Sequence, residues 1–173
     1  MLTLTLSACI GAGSNTPITK PAQDQFPTLS GIDLLGEERA LPQSFKGRFN
    51  LIAIGFEREH QRDINSWIDI ADNIAQTSPD FRFYEVPVIY ELSALSRMWV
   101  NNGMRSGIPD EKARERTITV YTDRERFLKF MDMRSDDIYV LLVDHKGSII
   151  WRHKGSTTPN SINMLKRIIQ ESS

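Results

Sequence analysis

Cysteine is nearly absent from this chain, which holds one, Cys9. A lone thiol excludes an intramolecular disulfide and any metal cage built from several cysteines. No apolar run reaches the roughly 18 residues of a membrane-spanning helix. Neither sign of charge dominates: 21 Lys and Arg face 22 Asp and Glu, a formal net charge of −1. That balance gives no electrostatic argument for nucleic-acid binding. There is no internal repeat and no heptad pattern. Nothing in the composition calls for a cofactor, and none is assigned.

The one cysteine lies in Leu6-Ser7-Ala8-Cys9, the pattern of a bacterial lipoprotein cleavage and lipidation box. A secretory signal also carries a basic segment and a longer apolar run, and MLTLTLSA has neither. Two readings stand. Either the true start lies upstream, or Cys9 is an inert thiol in a frayed terminus. On the first, residues 1–9 are a remnant signal with lipidation at Cys9. Residues 10–25, rich in Gly, Ser, Thr, Asn and Pro, are then a flexible tether. One acyl chain binds a membrane marginally, whereas several anchor it stably. The expected location is the bacterial cell envelope, lipid-anchored and facing the periplasm or extracytoplasmic space.

Residues 26–173 suit one domain. Phe26-Pro27-Thr28-Leu29, followed by Gly31 and Gly36, reads as a short hairpin or opening strand. The run 50-NLIAIGF-56 suits a central strand covered on both faces. A helix is expected over 61–77, where Ile64, Trp67, Ile68, Ala71, Ile74 and Ala75 recur at helical spacing. Strand character returns over 81–89, with Pro87 marking an end or edge. A second helix is expected over 93–101, burying Leu92, Leu95, Met98 and Trp99, with Asn102-Gly103 as its C-terminal cap. Residues 104–116 read as a charged, partly exposed segment, and 117-TITVY-121 as a short strand. Asp123 can cap a helix containing Phe127, Leu128, Phe130 and Met131. The clearest pattern closes the chain. Strands 138–144 and 148–153 flank a turn with Gly147 at positive φ, and a helix over 161–170 follows. In the returning strand, alternation puts Ile149 and Trp151 on one face. This order demands an α/β fold: a mixed central sheet with helices on both faces and a C-terminal β-hairpin plus helix.

That order resembles the thioredoxin fold. Phe26-Pro27, Gly36 and Phe45-Lys46-Gly47 look like the run-in of peroxiredoxins and membrane-tethered thiol reductases. More narrowly, 45-FKGRFNLIAIGF-56, Trp67, Gly107-Ile108-Pro109 and 139-YVLLVDHKGSIIWRHKG-155 are similar to the ATP synthase assembly-factor family and its bacterial relatives. The resemblance implies contact with a subunit of a membrane complex. The departure from redox members is concrete. Thiol chemistry needs a cysteine after the first long strand, where helix N–H groups stabilise the thiolate. This chain has Glu57-Arg58-Glu59-His60-Gln61 there. The cis-proline usual before the penultimate strand is also missing, since Ser135-Asp136-Asp137 precedes Ile138.

His60 could serve as a general acid or base with Glu57 or Glu59, or the three could form a weak metal site. The plainer reading is an exposed polar helix start. His145 and His153 read as solvated turn and edge residues. Trp151 is core or a ligand platform, with Arg152 and Lys154 as a basic rim. Arg105, Lys112, Arg114 and Arg116, around Gly107 and Pro109, form either a partner-binding loop or a solvated insertion. The leading expectation is a non-catalytic, membrane-tethered protein that binds or assembles a membrane protein complex, neither a dithiol oxidoreductase nor a cysteine peroxiredoxin. A cysteine-independent enzyme or weak metal-binding protein centred on His60 is the alternative. A thiol function for Cys9 is the weakest reading, because a tether lacks a shaped active site.

Overall fold

The computed structural model describes residues 24–171; the expected signal, lipidation box and most of the tether lie outside them. The elements are β1 (Leu29–Asp33), β2 (Glu38–Leu41), β3 (Phe49–Gly55), α1 (Gln61–Thr77), β4 (Phe81–Tyr90), α2 (Ala94–Gly107), α3 (Glu111–Arg116), β5 (Ile118–Thr122), α4 (Arg124–Met131), β6 (Tyr139–Asp144), β7 (Ile149–Lys154) and α5 (Pro159–Glu171). A seven-stranded mixed sheet runs in the order β2-β1-β5-β4-β3-β6-β7. β3, β4 and β5 are parallel neighbours, and the terminal hairpin and the β1–β2 hairpin are antiparallel.

Alternation sorts the strands' side chains between two apolar layers. Leu51, Ala53, Phe83, Val140 and Leu142 point toward α1 and α5, meeting Ile64, Trp67, Ala71, Ile74, Leu165 and Ile169. Ile52, Ile54, Val86, Val88, Val120 and Leu141 point the other way, toward Phe127 and Met131 of α4 and toward Phe26, Leu41 and Phe45. β3 is buried along its whole length, as its continuous apolar run predicts. Each large side chain so buried contributes about 1.5–3 kcal/mol. Among the described residues no helix is long and apolar enough to cross a membrane.

The glycine of the terminal turn is required. Gly147 has φ +83°, a left-handed conformation, and a Cβ there would meet the Pro42 ring at 2.7 Å. Its carbonyl accepts from Phe26 N at 2.8 Å, pinning the start of the domain to this turn.

Several expectations need correcting. Pro87 does not end β4. Pairing with β3 stops at Gly55↔Pro87, and pairing with β5 carries the strand on from Val88 to Tyr90. α2 runs through Asn102-Gly103 to Gly107, because Arg105 Nε reaches Leu34 O at 2.7 Å and ties the last turn to the sheet edge. Much of 104–116 is helical: Asp110 caps α3 by accepting from Ala113 N at 2.7 Å. Ile149 and Trp151 lie on opposite faces. A β-bulge between Leu142 and Val143 shifts the register, so Ile149 joins the α4 layer while Trp151 packs in the α1–α5 layer. The largest correction concerns α2. Leu95, Met98 and Trp99, expected in the core, are 73%, 54% and 82% exposed. The helix turns Asn101 inward instead, accepting from Tyr121 Oη at 2.7 Å.

The mixed sheet, the helices on both faces and the closing hairpin and helix make this a thioredoxin-like fold.

Candidate functional site

The chain leaves the sheet at Gly55, turns through Phe56 and Glu57, makes one 3-10 turn over Arg58–His60 and enters α1. A thiol enzyme of this fold would place its nucleophile here. This segment instead closes on itself. His60 is buried, and its Nδ1 accepts from Phe56 N at 3.1 Å and Glu57 N at 3.4 Å. A ring nitrogen that accepts from backbone N–H carries no proton, so Nε2 bears the ring hydrogen. The expectation of an exposed polar helix start therefore fails for His60: the imidazole binds the loop that delivers it.

Glu57 is likewise engaged. Its Oε1 accepts from Arg124 Nη2 at 2.9 Å, while Arg124 Nη1 donates to Phe56 O at 3.0 Å. The Arg124 side chain is only 8% exposed, and its guanidinium lies 3.9 Å from the Tyr90 ring centroid, a favourable cation–π placement. Its Nε is buried without a hydrogen-bond partner. Arg124 thus staples the end of β3 to α4 and stops the end of the sheet under Tyr90. Phe56 completes the plug, with ring contacts to His60, Phe127 and Tyr139. Glu59 is exposed. Among the described residues no group of three His, Cys, Asp or Glu side chains could hold a metal ion. The one cis peptide there is Leu41-Pro42, far in sequence from the residues preceding β6.

Sequence reasoning missed Arg124 and Tyr90. A signal existed for the first. Arg124 opens α4 directly after its Asp123 cap, and a cation in a first turn opposes the helix dipole, so some partner had to compensate it.

The candidate basic residues form two separate groups near opposite edges of the sheet. Arg152 Nη1 donates to Met131 O at 3.0 Å, and Lys154 Nζ lies 3.8 Å from both Asp136 and Asp137. On the far side, Arg105 holds Leu34 O, Arg114 Nε donates to Ile108 O at 2.6 Å, and Arg116 Nη1 pairs with Asp72 at 3.0 Å over the Phe83 ring. Lys112 and Arg116 line a cleft of about 620 Å³ between α1, α3 and β4. Nearby, Lys46 pairs with Glu115 at 2.8 Å and holds that carboxyl below its ordinary range. Three of the four basic residues of this segment therefore have internal partners, and Lys112 points outward.

His145 is exposed in the turn, as expected, but His153 is half-buried. It stacks on Trp151 with ring centroids 5.7 Å apart and an interplanar angle of 6°. Both rings meet Trp67 edge-on, and Trp67 Nε1 donates to Gly155 O at 3.1 Å. Trp151 is partly buried and packs against the α1–α5 layer.

No curated protein sequence matches the chain. Solved structures do. A thiol:disulfide interchange protein from Bacteroides sp. shares 17% identity at TM-score 0.57, covering 85% of this chain and 89% of that one. The pneumococcal exposed lipoprotein thioredoxin Etrx1, from Streptococcus pneumoniae, shares 13% identity at TM-score 0.54, covering 84% and 99%. BsSco, a member of the Sco family of cytochrome c oxidase assembly proteins, shares 12% identity at TM-score 0.55, covering 88% and 98%. At these identities the likeness establishes the fold. With Cys9 as its one cysteine, the chain has no cysteine pair and is not a dithiol oxidoreductase. A family model described as ATP10 protein matches residues 19–171, and the chain belongs to that family.

Proposed function

We propose that this ATP10-family chain is a non-catalytic binding domain, tethered to a bacterial envelope membrane through lipidated Cys9, that assists assembly of a membrane protein complex. The observation that carries the reading is the closed end of β3. Where a thiol enzyme of this fold presents a nucleophile, Glu57 and His60 are occupied by Arg124 and by the backbone. A thioredoxin-like fold with that end plugged has its outer surfaces left for binding. Family membership adds support, and so does the fold's use in a cytochrome c oxidase assembly protein and in an exposed lipoprotein thioredoxin. The lipidation pattern at Leu6-Ser7-Ala8-Cys9, ahead of a polar stretch, supplies the tether. Candidate contacts are Lys112 with the neighbouring Arg105, Arg114 and Arg116, and, on the opposite edge, Arg152 and Lys154.

In-cell crosslinking of the tagged, membrane-bound chain tests this, with Cys9→Ala as the control. The expected result is enrichment of one envelope or respiratory-complex protein, lost when Cys9 is replaced. A chain that is neither acylated nor membrane-bound, or one placed on the membrane without any specific partner, would overturn the proposal.

A further inference from the structure

Positive charge collects at one place on this surface. Five cations line the cleft of about 620 Å³ between α1, α3 and β4: Arg39, Lys46, Arg82, Lys112 and Arg116. Two carboxylates, Asp72 and Glu115, line it with them. The whole chain is formally −1, so the excess is local. The floor is apolar, because the buried Phe81, Phe83 and Ile118 close it from below. Ala71 and Ala75 of α1, one helical turn apart, wall one side. Short side chains at both positions keep the cleft open.

The charges divide into those firmly matched and those not. Arg39 is held by buried Asp33 at 2.6 Å. Arg116 pairs with Asp72, and Lys46 with Glu115, but Asp72, Glu115 and Lys46 are each about half exposed. Exposed ion pairs contribute roughly 0–1 kcal/mol, so a carboxylate arriving from outside exchanges with them readily. Arg82 Nη1 donates to Pro79 O and, at 2.7 Å, to Phe81 O; the carbonyls orient its guanidinium without cancelling its charge. Lys112 is exposed. Among the described residues neither Arg82 nor Lys112 has a carboxylate within ion-pair distance.

These features specify the occupant. Clefts of roughly 300–1,000 Å³ accommodate ligands far larger than one phosphate or carboxylate group. The unmatched cations sit on different elements, Arg82 at the start of β4 and Lys112 on α3, so the complementary ligand carries more than one negative charge. The floor adds a demand for apolar side chains between those charges. We infer that this cleft receives a short acidic segment of the assembly partner, its carboxylates meeting Arg82, Lys112 and the exchangeable Lys46 and Arg116, its apolar side chains facing the floor. The inference rests on the reading that the chain binds a protein, and it names that protein's contact chemistry and the surface complementary to it.

The test measures fluorescence anisotropy of a fluorescein-labelled peptide of alternating Glu and Leu against the full chain bearing Cys9→Ala. Saturable binding that weakens with added salt is expected. Arg82→Gln with Lys112→Gln should lower the affinity about tenfold or more. Glu115→Gln removes the internal competitor for Lys46 and should raise the affinity. Lys154→Gln, on the opposite edge of the sheet, should leave it unchanged. Absence of saturable binding overturns the inference, as does a double variant that binds like the parent. An equal loss from Lys154→Gln would mark a general charge effect and overturn it too. Saturable binding of inorganic phosphate, lost in the same double variant, would assign the cleft to a compact anion, with the same consequence. No membrane or cellular partner enters these measurements, so their failure leaves the crosslinking result standing, and a failed crosslink leaves theirs.

Discussion

Helix α1 meets the sheet where β3, β4 and β6 offer Leu51, Ala53, Phe83 and Val140, and α5 closes the layer beside it. α2 meets the sheet over β1 and β5, one strand in from the β2 edge, where Gly31, Thr119 and Tyr121 line the groove between them. The first surface is apolar, so α1 buries Ile64, Trp67, Ala71 and Ile74 against it. The second is polar and lacks bulk, so α2 turns Asn101 to it and leaves its large apolar side chains outside. Both helices carry apolar residues at three- and four-residue spacing. What differs is the floor each one lands on, which their own sequences do not encode.

The strongest test of that contrast is a matched pair of tryptophan truncations. Trp67 is fully buried and bonded to Gly155 O, so Trp67→Ala should cost about 3–5 kcal/mol, read by urea unfolding. Equality with the parent would mean that the α1–α5 layer is not packed as described. Glu85 gives a smaller, pH-dependent effect at the seam between the two floors. Burial pushes its carboxyl above the ordinary 4.5, while the Gln61 hydrogen bond and the charge of Arg116 pull it down. Between the unfolded value and this raised one, the folded chain holds a proton that the unfolded chain has released, so stability falls as pH rises through that window. Glu85→Gln removes the titration and keeps an acceptor for Gln61. Its stability relative to the parent should therefore grow from acid to neutral pH, and an unfolding series showing a constant gap would contradict the burial. Least of all, Trp99→Ala should stay within about 0.5 kcal/mol of the parent. A large loss would show that α2 depends on its outer ridge for folding.

How much could be read beforehand depended on whether the governing contact was local. The buried run of β3, the helical face of α1, and the terminal hairpin with Gly147 were legible, because strand burial, amphipathicity and turn geometry each leave a mark within one segment. α5 was legible for the same reason. The ridge of α2 was not, since spacing identifies an apolar face but not whether the chain owns a cover for it. The opposite facing of Ile149 and Trp151 was hidden because a bulge is a mismatch between two strands. At the candidate site the absence of a cysteine was plain from residues 57–61. The burial of His60 was not, since its acceptors and packing come from the fold: Arg124 arrives 67 residues after Glu57. The basic residues of 105–116 were legible as a charged segment, but the partners of Arg105, Arg114 and Arg116 on other elements were not.

The bulge in the terminal hairpin has a further consequence. Without it, one short strand would present all its odd-numbered residues to a single layer. With one residue taken out of step, Ile149 serves the α4 layer while Trp151 and His153 serve the layer around Trp67. Deletion of Ile150, the residue that the bulge leaves without an opposite partner, would regularise the ladder and keep Ile149 and Trp151 in their present layers. Substitutions at Ile149 and at Trp151 therefore meet different sets of neighbours. A six-residue strand thereby divides its large inward side chains between the two layers.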